Sequence, residues 1–206
     1  MADDSFLKQA YQLKNTADTI ALYQEWAESY DSSVREHGYV TPERCVAALQ
    51  RHQLDKNVPI LDVGCGTGIS GFVMYQAGYH HIDGSDVSQA MLDKAALLRD
   101  IYHKLHLVNL DNPFDFEKGA YHVITAMGVI ADKHAPPETI IQLLEKLEAR
   151  GLLIFSLNNH TLENPAYEQT AFRAEKEGLA EILEAENGPH LTGYNMTSKI
   201  YVMRRC

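Results

Sequence analysis

Cysteine is scarce in this 206-residue sequence: Cys45, Cys65 and Cys206 are widely spaced, and no C-x-x-C pair occurs. An odd, scattered set argues against a disulfide framework or a thiolate zinc site and reads as free thiols in a reducing compartment. No apolar run approaches the length of a membrane span. The opening residues, MADDSFLKQA, are polar and acidic, unlike a signal peptide. A soluble, cytoplasmic protein with no membrane partner is expected. Positive charge is short too: 18 Lys and Arg stand against 28 Asp and Glu, a formal net charge of -10, and the bases form no run. That argues against a sequence-independent nucleic-acid binder, which needs a basic face to displace phosphate counterions. Repeats and low-complexity tracts are absent. Histidine is plentiful, yet His80, His81, His103 and His106 have no matching acid or cysteine cluster, so no metal site is expected.

The length suits one domain, residues 1–206, with residues 1–53 as an N-terminal helical segment and 54–206 as the core. Residues 1–15 show no pattern. From Asp18 a helical spacing links Ile20, Leu22, Tyr23, Trp26, Ala27 and Tyr30 and ends near Asp31. Thr41-Pro42 predicts a second helix, with Thr41 as N-cap and Cys45, Val46 and Leu49 as its buried stripe. After Pro59 strands alternate with helices. ILDV, HHIDGSD, KLHLVNL, AYHVITAMGVI and GLLIFSL read as five strands. Helices fall at Ile69–Ala77, after a Ser88 cap, after Pro136-Pro137, and from Asn164-Pro165 to near Gly178. Such alternation implies parallel strands joined by right-handed crossovers. LAEILEAE, which also fits a helix, and SKIYVMRR break the rhythm and predict an antiparallel addition at the C-terminal end.

ILDVGCGTGISG, residues 60–71, places Gly64, Gly66, Gly68 and Gly71 directly after the first strand. Gly66-x-Gly68-x-x-Gly71 fits a dinucleotide fingerprint, and Asp62-x-Gly64-x-Gly66-x-Gly68 fits a loop for S-adenosylmethionine (SAM). Position does not separate them, since both ligands bind beyond the carboxyl ends of strands. Asp62 does. A buried carboxylate beside a pyrophosphate is opposed by repulsion and desolvation, whereas the ammonium and sulfonium of SAM welcome an acid. Asp86, 20 residues after Gly66, is placed to reach ribose hydroxyls in either case, with Asp83 as a nearer competitor.

LDVGCGTG, GSDVSQAML, NLDNPF and YHVITAMGVI together resemble the successive motifs of class I SAM-dependent methyltransferases. LYQEWAESYDSSV resembles the aromatic segment that precedes the glycine loop in small-molecule members. The likeness is nearest to the methyltransferase-like proteins of the Williams–Beuren region and their bacterial relatives, with quinone C-methyltransferases as more distant cousins. It implies a Rossmann-like, doubly wound α/β fold: a mostly parallel seven-stranded sheet with an antiparallel C-terminal strand, under an N-terminal helical lid. By the same resemblance Asp62, Gly64, Cys65, Gly66 and Gly68 would hold the methionine part, although Cys65 also reads as a small packing residue. Asp86 would chelate the ribose, Val87 would pack on the adenine, and the Leu110 amide would face it. The acid that often accepts from the adenine amino group is replaced by Asn109, with Asp111 as a substitute. Met127 and Gly128 would lie near the sulfur, and Tyr23, Trp26 and Tyr30 would cover the site. A Pro-Gly-Gly turn usual before the fifth strand is reduced to Gly151.

Methyl transfer needs alignment and water exclusion, and a base only when the acceptor must lose a proton. Candidate bases are the loop histidines His134, His160 and His190. Asn158-Asn159 would orient a substrate or cap a turn. TAMG after the fourth strand lacks the Asn/Asp-Pro-Pro-Tyr/Phe signature of base and glutamine amide methylation. The expectation is a SAM-dependent methyltransferase acting on a small-molecule acceptor rather than nucleic acid, as a monomer or homodimer. The alternatives are an NAD(P)-dependent oxidoreductase and a non-catalytic SAM-binding protein.

Overall fold

The computed structural model describes residues 22, 27–132 and 134–206. Tyr23 and Trp26 lie outside the described residues, as does the opening polar stretch. In chain order the elements are α1 (Tyr30–Glu36), α2 (Thr41–His52), β1 (Ile60–Val63), α3 (Ile69–Gln76), β2 (Ile82–Asp86), α4 (Gln89–Ala95), β3 (Lys104–Leu107), β4 (Val123–Ala126), α5 (Thr139–Lys146), β5 (Leu152–Asn158), α6 (Asn159–Leu162), α7 (Ala166–Lys176), β6 (Ala180–Pro189) and β7 (Thr197–Arg205). A 3-10 turn, Thr192–Tyr194, joins the last two strands.

The strands form one seven-stranded sheet in the order β3-β2-β1-β4-β5-β7-β6. The first five pair in parallel. β7 runs antiparallel between β5 and β6, with Leu153 opposite Met203 and Phe155 opposite Tyr201. Both faces are covered, which is why β1 and β4 are apolar or buried at every position. Side-chain alternation divides the core. Leu61, Ile124, Leu153 and Phe155 pack with Ile140, Leu143 and Leu144 of α5 and with Tyr167 and Ala171 of α7. Ile60, Val123, Leu152 and Ile154 pack with Cys45, Val46 and Leu49 of α2 and with Met74 of α3. β3 is an edge strand and is mostly exposed.

Two helix boundaries differ from the sequence reading. Most of the helix expected from Asp18 to near Asp31 lies outside the described residues; residues 27–29 form a turn, and a separate helix, α1, starts at Tyr30 and runs through Ser32 and Ser33 to Glu36. Its support is tertiary: Val34 packs with Leu191 and Met196 of the β6–β7 connection. Thr41 is the first residue of α2 rather than its cap, a position held by Val40. The Thr41 hydroxyl instead bonds His190 Nδ1 at 2.7 Å and Ser198 Oγ at 3.1 Å. Ser88 caps α4 as expected, accepting from the Met91 amide. LAEILEAE is strand β6, a bulged edge that pairs along its length with β7.

Candidate active site

Strand order reverses between β1 and β4, with β2 on one side and β5 on the other. That reversal leaves a crevice at the carboxyl ends of the strands. A cavity of about 410 Å³ opens there, walled by the ends of β1, β2 and β4, the segments after β3 and β4, the start of α5, and Tyr30 of α1.

The floor is the glycine loop. Gly64 and Gly66 have φ of 64° and 54°, a left-handed backbone that side chains rarely adopt. A Cβ at Gly64 would lie 2.3 Å from Val129, whereas one at Gly66 would meet nothing within 4 Å. Since Gly66 lines the cavity, its missing side chain leaves a cradle open to a ligand. Gly68, at φ 97°, is the N-cap of α3.

Asp86 ends β2 at the cavity wall. One carboxylate oxygen accepts from the Gly66 amide and the other from the Ser88 amide, each at 2.9 Å. Burial pushes its carboxyl above the usual range, opposed by the Ser88, Gly66 and Val87 amides. Each oxygen keeps a lone pair for a ligand hydroxyl. Asp83, the competitor, accepts from the Tyr121 hydroxyl at 2.8 Å and does not line the cavity.

Asp62 is 1% exposed and also absent from the cavity wall. Its Oδ2 accepts from Ser70 at 2.5 Å and Tyr102 at 2.8 Å, and its Oδ1 accepts from Thr125 at 2.8 Å. The carboxylate thus sits beneath the loop and ties β1 to α3, β4 and the segment before β3. Burial pushes its pKa up to about 6 against the pull of these hydroxyls.

Of the other residues read from sequence, Tyr30, Val87, Leu110, Met127 and Gly128 line the cavity. Cys65 is buried behind the loop, 3% exposed, and desolvation holds its thiol well above the ordinary range. Asn109 is exposed, and its side-chain oxygen accepts from the Asp111 amide at 3.0 Å in a local turn. His134 lines the cavity, whereas His160 and His190 do not. His160 faces Glu163 at 3.5 Å with a half-exposed side chain. His190 is 6% exposed, and burial pulls its pKa down to about 4. Asn158 caps α6 through Thr161. Sequence reasoning missed Tyr102, Ser70 and Thr125, as well as the apolar wall of Met91, Val108 and Phe114. The only hints were a tyrosine and two hydroxyl residues with no local pattern.

The N-terminal segment is fastened over this floor. The Asp31 carboxylate accepts from the Thr67 hydroxyl inside the glycine loop, and Glu28 pairs with Lys94 of α4 at 2.7 Å. Removing the first contact in Asp31→Ala is expected to weaken S-adenosylhomocysteine (SAH) binding about fivefold, the loss of about 1 kcal/mol for one half-exposed bond. Titration calorimetry checks the affinity, and faster tryptic cleavage after Arg35 checks the loosening.

Residues 36–191 match the family described as a methyltransferase domain. The chain is 28% identical over 184 residues to methyltransferase-like protein 27 of Homo sapiens, covering 87% of this chain and 75% of that protein. It is 31% identical over 102 residues to the tRNA U34 carboxymethyltransferase of Vibrio cholerae, covering 48% of this chain and 32% of that enzyme. The fold is similar to that of magnesium protoporphyrin IX methyltransferase from Synechocystis PCC 6803 with bound SAH, with a TM-score of 0.62, 19% identity, and coverage of 85% and 86% of the two chains. The oxidoreductase alternative falls with these matches, and Gly71, which completed the dinucleotide fingerprint, does not line the cavity. A glycine cradle at the switch point, an acid at the second strand tip and an apolar slot beyond it fit an adenosyl amino acid. The chain therefore belongs to the methyltransferase-domain family, and S-adenosylmethionine is its cofactor.

Proposed function

We propose that the chain methylates a small-molecule acceptor, with residues 1–53 serving as a lid over the core at 54–206. The carrying observation is the charge of the wall. Among the described residues that line the cavity there is no Lys or Arg, and Asp86 is the one acid. RNA-modifying sites grip phosphates with cations, so this wall suits a compact neutral or cationic acceptor even though some relatives act on tRNA. Bound SAM supplies a methyl group on a cationic sulfur, which an aligned nucleophile takes by in-line displacement.

The protein's part is holding and drying. Gly64 presents its backbone amide to the methionine carboxylate, and Gly66, whose own amide is held by Asp86, leaves the space for it. Asp86 accepts from the ribose hydroxyls. Val87 and Leu110 flank the adenine, and Asn109 or Asp111 is within the segment that would meet its amino group. Met127 and Gly128 border the reacting end, and Tyr30 excludes water from above. His134 is the wall histidine placed to take a proton when the acceptor has one to lose. A cytoplasmic setting, as monomer or homodimer, belongs to the same proposal. No helix among the described residues is long and apolar enough to cross a membrane.

Saturating SAH, at about a hundredfold over its Kd, is expected to add about 2.7 kcal/mol of stability, with no shift from NAD or NADP. Tritiated SAM incubated separately with a deproteinised metabolite extract and with total RNA should label the extract. Label confined to RNA would refute the small-molecule reading.

A further inference from the structure

Gly68, Gly71 and Gly84 belong to the loop, to α3 and to β2, yet all three lie against one aromatic ring. A Cβ on Gly71 would come within 2.3 Å of both Cζ and the hydroxyl oxygen of Tyr102. A Cβ on Gly84 would lie 3.0 Å from its Cδ1, and one on Gly68 would lie 3.2 Å from its Cε2. The ring therefore occupies volume that side chains at these positions would otherwise fill. Its hydroxyl is used twice, donating to Asp62 Oδ2 at 2.8 Å and accepting from the Gly71 amide at 3.1 Å. Gly71 is the third residue of α3, and the amides of a helix's first turn have no partner within the helix. The N-cap is Gly68, which has no side chain to offer one. Tyr102, arriving from just before β3, supplies that acceptor from outside the helix.

From this we infer that Tyr102 is a positioning residue for the cofactor loop, fixing the turn from Gly64 to Gly68 by joining Asp62 beneath it to the Gly71 amide beyond it. The loop is held at both ends: Asp86 takes the Gly66 amide on the ligand side, and Tyr102 anchors α3 on the core side. The ring never reaches the cavity, so it acts on the cofactor only through the backbone amides that it aligns. The inference rests on the assignment of this loop to SAM.

SAH affinity, measured by titration calorimetry alongside the urea midpoint, tests it in three proteins. Tyr102→Phe keeps the ring and removes both bonds, and its Kd should rise about tenfold or more. Thr125→Val removes a different hydroxyl from the same carboxylate, and should lower the midpoint while leaving the Kd within about twofold. A Tyr102→Phe protein with a lowered midpoint and an unchanged Kd would overturn the inference, because the residue would then be structural only. Should that variant not fold, Gly71→Ala replaces it: its methyl displaces the ring with Asp62 intact, and an unchanged Kd is again fatal. If the unmodified chain binds no SAH at all, the cofactor site itself is refuted, and the inference falls with it.

Discussion

Asp86→Ala is expected to weaken SAH binding about a hundredfold or more, the largest effect of any single side chain in the site. In the proposed ribose contact, two hydroxyls donating to this largely buried carboxylate would contribute about 1.5–3 kcal/mol each, which spans about a hundredfold to ten-thousandfold in Kd. The substitution also removes the partner of the Gly66 amide, 2.9 Å away, so the loop loses its tether on the ligand side. Asp83→Ala is the control. Its carboxylate is held by Tyr121 and stands off the cavity, so the Kd should stay within about twofold while stability falls by about 1 kcal/mol. Calorimetric titration of both proteins decides the matter. An unchanged Kd in Asp86→Ala with a loss in Asp83→Ala would move the ribose contact to the neighbouring acid.

Asp62→Asn is expected to make the protein more stable at neutral pH and poorer at binding cofactor. The pKa of Asp62 is about 6, raised mainly by burial. A carboxyl whose folded pKa lies above its unfolded value takes up protons on folding, so it contributes most stability at low pH and loses it as pH rises from about 4 to about 6. Above that window the ionised form costs about 3 kcal/mol relative to an ordinary carboxyl. An asparagine never ionises, and the hydroxyls of Ser70, Tyr102 and Thr125 can rotate to meet its amide. The stability of Asp62→Asn minus that of the unmodified chain should therefore rise by about 2.4 kcal/mol between pH 4 and pH 7.5. Taking the difference matters, because His190, with its pKa pulled down to about 4 by burial, has the opposite slope and is common to both proteins. Urea unfolding at the two pH values measures it, and a flat difference would show that Asp62 is not strained. SAH should bind the variant about tenfold more weakly, since the loop loses the charge beneath it.

These two acids mark how far the sequence could be read. Asp86 was legible because its distance from Gly66 and the Ser88 cap after it are both local. Asp62 was legible as an acid in an apolar strand. Its partners were not, since they come 8, 40 and 63 residues later in the chain and carry no periodicity of their own. The fold was legible where burial leaves a short, nearly apolar run, as in ILDV, or a helical period, as in the Ile140, Leu143 and Leu144 stripe of α5. It was not where tertiary contacts outweigh local preference. Ser32 and Ser33 read as a helix end, yet Val34 is held by Leu191 and Met196. Thr41 reads as a cap, yet its hydroxyl is claimed by His190, 149 residues away. The single turn of α6 is too short to leave any pattern at all.

The place of β7 also governs the order in which the sheet can be completed during synthesis. β5 leaves the ribosome before it, with six successive buried residues and one edge awaiting a neighbour. β6 follows and has no strand in the sheet to join except β7. Until β7 is made, the nascent chain carries an open apolar edge beside a partly assembled cofactor floor, a state that invites pairing with other chains. Of the seven strands in this sheet, the one translated last is thus the one that completes it, and a stalled or nicked chain lacking β7 would aggregate rather than bind SAM at reduced strength.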